Sequence, residues 1–174
     1  MKKVLVGSFL VFVLVVPVMA QQSSTPTDPA RDLAIRIPAL ARPALADVQK
    51  QFPWIKSIQE DQSPAGAVTL KLASVLESSE VSISSEEYEQ RLAPRQQEAL
   101  GFQQALWLVE HQDEFPEFMA LAGKIYIDFP GLVMVDGING RDFAFLVRHG
   151  SRWSLECGWS GRGADHRGRI AVGN

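Results

Sequence analysis

The sequence predicts an α+β fold, with N-terminal helices packed on one face of a C-terminal antiparallel β-meander of four to five strands. Two observations support this prediction. Apolar residues recur at helical spacing up to about residue 122, and from Lys124 onwards the period changes to that of a strand, with short turn signals between the strand-like runs. We expect one domain over residues 28–174, because the chain has only 174 residues and shows no repeat and no long linker.

The first twenty residues have the three parts of a secretory signal peptide. Two lysines precede an apolar run of thirteen residues that ends at Pro17, and Val18-Met19-Ala20 supplies small residues for cleavage before Gln21. The alternative is an uncleaved anchor, but the run is shorter than the roughly 20 residues that a membrane span needs. We therefore expect a periplasmic or secreted protein without a stable membrane anchor, in which residues 21–27 form a disordered tether.

The composition excludes several classes of protein. Apolar residues make up 46% of the chain and charged residues 21%, which is the balance of a globular protein. Cys157 is the single cysteine, and this excludes an internal disulfide and any multi-cysteine metal centre. Without the two N-terminal lysines, 15 basic residues stand against 20 acidic residues, a net charge of −5 that argues against nucleic-acid binding.

Helices are predicted in the N-terminal part of the domain. Asp28-Pro29 is typical of a helix start, and apolar residues at helical spacing follow over residues 33–40. A second apolar stripe predicts a helix over residues 45–52. Residues 65–77 fit either a strand or a helix, and we prefer the helix because Ser63-Pro64 supplies a cap and a first-turn proline.

The clearest helix signal is the capping box of Ser84 and Glu87, which predicts a helix that begins at the next residue after Ser84. A further apolar stripe predicts a helix that ends near His111, and a short helix follows at residues 115–122, terminated by Gly123. All of these helices precede the strand-like part of the sequence, so we expect them to form one layer against the sheet.

A hairpin is predicted where two alternating runs, residues 142–149 and 152–159, flank Gly150-Ser151. Closing this hairpin sets a register with five cross-strand pairs: Leu146 opposite Leu155, Ala144 opposite Cys157, Arg148 opposite Trp153, Phe145 opposite Glu156 and His149 opposite Arg152. In this register the guanidinium of Arg148 can lie over the indole of Trp153. The face that carries Phe145 is mixed in polarity, so it is expected to contact solvent or to line a cavity.

The other strands are less sharply defined. Residues 124–129 and 132–135 flank Pro130-Gly131, which we interpret as a turn between two strands. Residues 161–168 are predicted to form a loop because they are rich in glycine and charge, and residues 169–172 add a last strand.

No catalytic residue, metal site or cofactor is predicted. Cys157 lies on the apolar face of the hairpin, away from His149, which favours a buried structural thiol. Residues 110–114 contain four metal-capable groups, but none has the i, i+4 spacing of a helical zinc site. The sequence therefore favours a protein without catalytic activity.

Binding residues are predicted near the C-terminus, where basic side chains cluster on an otherwise acidic protein. Arginine and tryptophan are the side chains that most often anchor interfaces, and the predicted contact residues are Trp159, Arg162, His166, Arg167 and Arg169. The first hypothesis is an exported binding or inhibitory protein that contacts an acidic protein partner or an anionic ligand through this surface. The alternative is a solvated loop whose charges keep the sheet edge from pairing with another chain.

A second hypothesis is a pocket between the sheet and the helices, lined by Tyr126, Phe143 and Phe145. Helices followed by the hairpin sequence DFAFLVRHGSRWSLECGW resemble, in element order and over residues 84–159, the cone-shaped nuclear-transport-factor-2-like domains. No diagnostic motif supports this resemblance, so no catalytic residue is carried over from it. The resemblance implies a small-molecule pocket or an active site inside the cone, and a cavity of roughly 300 Å³ or more would favour this hypothesis.

Overall fold

The computed structural model describes Asp28 and residues 30–174. The predicted signal peptide, residues 1–20, and the predicted tether, residues 21–27, lie outside the described residues. The α+β content is confirmed, since the described chain forms four α-helices and a seven-stranded sheet. Across these residues, no helix combines the length and the apolar character needed to cross a bilayer.

Nine strands and four α-helices make up the described chain, together with three 3-10 helices (Ala93–Arg95, Gln112–Glu114 and Ser160–Arg162). In chain order the strands and α-helices are β1 (Ile35–Ile37), α1 (Leu45–Gln51), β2 (Ser57–Asp61), β3 (Val68–Ala73), β4 (Ser82–Ile83), α2 (Ser85–Leu92), α3 (Phe102–Glu110), α4 (Pro116–Met119), β5 (Tyr126–Val135), β6 (Arg141–His149), β7 (Arg152–Trp159), β8 (Ala164–Asp165) and β9 (Gly168–Gly173).

The main sheet has the strand order β1-β3-β9-β5-β6-β7. Neighbouring strands are antiparallel except β5 and β9, which are parallel. Strand β5 is long enough for two partners on one edge, so β9 pairs with its first half and β2 with its second half. Strands β4 and β8 form a separate two-stranded ribbon.

The expectation that helices precede all strands is wrong. Residues 33–40 contain β1, in which Ile35 and Ile37 are buried and Arg36 is exposed. Residues 65–77 contain β3, not the preferred helix, and its buried positions alternate along the strand. Apolar residues four positions apart fit both a helix and a strand. Here the antiparallel pairing with β9 stabilises the strand. The sheet therefore has seven strands instead of four or five.

Pro130-Gly131 does not form the predicted turn but lies inside β5, at an irregular part of its register with β6. The Gly131 amide donates to the carbonyl of Leu100 at 2.9 Å, and the Gly131 carbonyl accepts from the amides of Gln62 and Ser63. A Cβ at this position would lie 2.3 Å from the carbonyl oxygen of Ala99. Glycine is needed because two backbone segments touch the strand here.

Local sequence signals predicted α2 and the β6–β7 hairpin correctly. Helix α2 begins at Ser85, and the Ser84 hydroxyl accepts a hydrogen bond from the amide of Glu87 at 3.2 Å. The reciprocal half of the capping box is absent, because the carboxylate of Glu87 binds Arg91 instead. All five predicted cross-strand pairs of the hairpin are confirmed.

Buried side chains form two clusters on opposite faces of the sheet, because neighbouring residues of a strand point to opposite sides. On the first, which we call the α3 face, Ala144 and Leu146 of β6 pack in one cluster with Leu108 of α3. On the second, the α2 face, Phe143 packs in the other cluster with Tyr88 of α2. The predicted packing of the helices on a single face is therefore not confirmed.

Replacement of Gly131 with alanine tests the backbone contact inside β5. The variant Gly131→Ala is expected to lose roughly 1–3 kcal/mol of unfolding free energy, because the added methyl group meets a carbonyl oxygen that cannot rotate away. Urea denaturation measures this loss. Gly66→Ala is the matched control, since a Cβ at Gly66 meets no atom within 4 Å, and equal stability of the two variants would contradict the close approach.

Candidate functional site

A cleft of about 710 Å³ lies between the α2 face of the sheet and the β4–β8 ribbon. Strands β5 and β6 contribute Tyr126, Phe145 and Val147, all partly buried, as its apolar floor. Charged side chains stand around this floor, and those are Arg148, Arg162, Asp165 and Arg167. The concave surface thus combines aromatic and aliphatic groups with three guanidinium groups and one carboxylate.

The position of the ribbon gives the cleft its second wall. Ser82 pairs with Asp165 and Ile83 with Ala164, so the chain after β7 returns across the α2 face. Gly163 makes the close approach feasible: its φ is +72°, and a Cβ there would lie 2.5 Å from the carbonyl oxygen of Ile83. This close approach packs the two sides of the ribbon together, and the amide of Asp165 donates to the Tyr126 hydroxyl of β5 at 3.1 Å, which joins the ribbon to the sheet.

Behind Arg162, and not bordering the cleft, the Asp128 side chain is 1% exposed and is held by two partners. Its Oδ2 accepts a hydrogen bond from the hydroxyl of Tyr88 at 3.0 Å, and its Oδ1 accepts from Nη2 of Arg162. Burial raises the pKa of Asp128 to about 6, although the charge of Arg162 and both hydrogen bonds act in the opposite direction. Burial and the Asp128 charge also raise the pKa of Tyr88.

The guanidinium of Arg162 lies between aromatic rings. Its central carbon is 4.3 Å from the ring centre of Phe145, 4.8 Å from that of Tyr126 and 6.0 Å from that of Phe143. These are cation–π distances, and together with Asp128 they restrict the side chain. Within the described part of the chain, Nε and Nη1 of Arg162 have no hydrogen-bond acceptor, so these donors remain available.

The other sequence-predicted binding residues divide into different environments. Arg167 lines the cleft and binds Asp165, with Nη2 and Oδ2 separated by 2.9 Å. Arg169 points away and binds Asp28 at 2.8 Å, and its side chain is only 11% exposed. His166 is exposed and does not line the cleft. For Trp159 only the backbone is described, and it pairs with Asp142.

Two of the three predicted pocket residues line the same cleft. Tyr126 and Phe145 line the cleft, whereas Phe143 is buried behind it, between Tyr88 and Arg162. The cleft is also not enclosed between the sheet and α3, since Phe102 and Trp107 of that helix border a different, smaller concavity.

Sequence reasoning missed three residues of the site. Arg148 does not stack on Trp153 as predicted; its Nε donates to the carbonyl of Gly150 at 2.5 Å, and its side chain crosses Gly123 to line the cleft. Asp128 and Tyr88 were missed as a pair. The available signal was an acid at an inward strand position among apolar residues, which needs a buried partner.

The remaining chemical candidates lie away from the cleft. Cys157 is partly buried against the α3-face core, and burial raises the pKa of its thiol to about 12. In the 110–114 run, Asp113 binds Arg152 with a distance of 2.6 Å. Among the residues described, no three His, Cys, Asp or Glu side chains are grouped to hold a metal ion.

Replacement of Tyr88 with phenylalanine tests the role of the buried hydrogen bond. Tyr88→Phe is expected to lower the free energy of unfolding by roughly 1–3 kcal/mol, because one oxygen of Asp128 loses its donor away from water. Thermal and urea denaturation measure the loss. Tyr126→Phe is the control, since that hydroxyl accepts from the Asp165 amide in a less buried place, and an equal effect of both substitutions would argue against the Tyr88 contact.

Comparisons of the chain with protein-family models, with curated proteins and with solved structures give no match. The resemblance in element order to nuclear-transport-factor-2-like domains therefore gains no support from them.

Proposed function

We propose that the protein is a binding protein whose cleft takes a small anionic ligand with an apolar body. The observation that carries the proposal is the convergence of Arg148, Arg162 and Arg167 around a floor of Phe145 and Val147 in one concavity. Its volume of about 710 Å³ is in the usual range of small-molecule sites. Guanidinium groups bind carboxylates, sulfonates and phosphates, and the floor offers apolar contact.

A small ligand fits these residues better than the surface of an acidic protein partner. The partner hypothesis depended on free positive charge in the C-terminal loop. Arg169 is instead bound to Asp28, and Arg167 is bound to Asp165. Arg162 is paired with Asp128, so the cleft arginine without a carboxylate partner among the described residues is Arg148. Arg148 lines the concave surface, which favours a ligand that enters the cleft over a partner that lies across the loop.

The environments of Asp128 and Cys157 also favour a binding protein over an enzyme. Asp128 lies behind Arg162 and does not border the cleft. The thiol of Cys157 has its pKa raised to about 12 by burial, so it stays protonated at neutral pH and is a poor nucleophile. Export, predicted from the first twenty residues, is part of the proposal, and it implies that the ligand is met in the periplasm or outside the cell.

Titration with naphthalene-1-sulfonate, followed by calorimetry, tests the proposed function. The protein is expected to bind this probe, and Arg148→Met and Phe145→Ala should each weaken binding by at least roughly tenfold, equivalent to about 1.4 kcal/mol. Arg36→Met is the matched control, because Arg36 is exposed on β1 at the opposite end of the sheet order. Absence of binding, or binding that both cleft variants retain, would contradict the proposal.

A further inference from the structure

We propose that the ligand of this cleft is a monoanion, a carboxylate, sulfonate or phosphodiester attached to an apolar group, because two of the three guanidinium charges are already balanced by carboxylates of the protein. The inference rests on the proposed function and names the charge class of its ligand.

The charges around the cleft form two pairs and one unpaired group. Arg162 is paired with Asp128, and Arg167 is paired with Asp165. Arg148 has no carboxylate within 4.0 Å among the described residues, and its Nε contacts only the Gly150 carbonyl. The cleft therefore carries one uncompensated positive charge, which matches a ligand with one negative charge.

Asp128 differs from Asp165 because it does not line the cleft. It balances the charge of Arg162 from the protein interior, where the ligand does not contact it. It is 1% exposed, so little water screens its charge from the guanidinium beside it. The ionisable groups around it are Tyr88 from α2, Tyr126 from β5 and Arg162 from the 3-10 helix, and its register partners in the sheet are Phe145 of β6 and Ile170 of β9. Arg162 is the one cation among them.

A balanced arginine still contributes to binding. Nε and Nη1 of Arg162 lack acceptors in the described chain, and the rings of Tyr126 and Phe145 hold the group in place. These donors are fixed before the ligand arrives, so they supply hydrogen bonds at a low entropic cost. A second negative charge on the ligand would find no free cation and would be repelled by Asp128 and Asp165.

Two probes with the same aromatic body distinguish the charge classes at pH 8. Naphthalene-1-sulfonate is a monoanion, and 1-naphthyl phosphate is a dianion at this pH. The wild-type protein is expected to bind the sulfonate roughly tenfold more tightly than the phosphate. Asp128→Asn should reduce this preference by about tenfold, because it releases the charge of Arg162. Asp142→Asn is the matched control, since Asp142 is also a buried carboxylate but does not line the cleft.

The outcomes separate the two proposals. Failure of both probes to bind would overturn the proposed function. A second outcome is that both probes bind, that Phe145→Ala weakens their binding, and that the wild type prefers the phosphate. This outcome would overturn only the monoanion inference. An unchanged preference in Asp128→Asn, or the same change in Asp142→Asn, would overturn the role of Asp128 as counter-ion.

If Asp128→Asn does not fold, the pH dependence of sulfonate binding tests the role of Asp128 without a substitution at this position. In a His149→Gln/His166→Gln background, which removes the histidine at the end of β6 and the histidine that follows β8, sulfonate affinity is measured from pH 8 to pH 5. The affinity is expected to rise roughly tenfold as the pH falls through about 6, where Asp128 gains a proton and Arg162 loses its counter-ion. An affinity independent of pH would overturn the inference.

Discussion

A carboxylate buried away from water needs partners, and Asp128 is the position where this requirement organises the molecule. Its two oxygens receive one donor from Tyr88 of α2 and one from Arg162, which follows β7. An unpaired ionised carboxylate in the interior would cost several kcal/mol. These two contacts therefore draw α2 and the chain after β7 over the same face of the sheet, and the cleft opens beside them.

The elements that could be predicted from the sequence are those defined by a cap or a turn of only a few neighbouring residues. Ser84 begins α2, and Gly150-Ser151 closes the hairpin with the expected register. Strand β3 could not be predicted in the same way, because its partner β9 is about a hundred residues away and its apolar spacing also fits a helix. The same limit applies to Pro130-Gly131, where contact with the Ala99 backbone continues a strand through residues typical of a turn.

Only part of the candidate site could be predicted from the sequence, because the rest depends on contacts between residues that are far apart in the chain. Local sequence patterns indicated part of the site: the basic cluster near the C-terminus gave Arg162 and Arg167, and the strand pattern gave Tyr126 and Phe145. The pair of Tyr88 and Asp128 joins residues 40 positions apart on different elements, so no local pattern reveals it. Arg148 was assigned to the wrong neighbour because strand register gives the side on which a side chain starts, and a long arginine can turn around the backbone of Gly123.

The state of the Asp128 carboxyl is the most direct test of this account, because both the packing of the α2 face and the charge of the cleft depend on it. Carbon-13 NMR of aspartate side-chain carboxyls, assigned with Asp128→Asn, follows its protonation with pH. We expect the titration of Asp128 to have its midpoint at about pH 6, because burial raises its pKa from the ordinary value of 3.8. A midpoint at or below 3.8 would mean that the carboxyl is hydrated or otherwise paired, and would contradict the account.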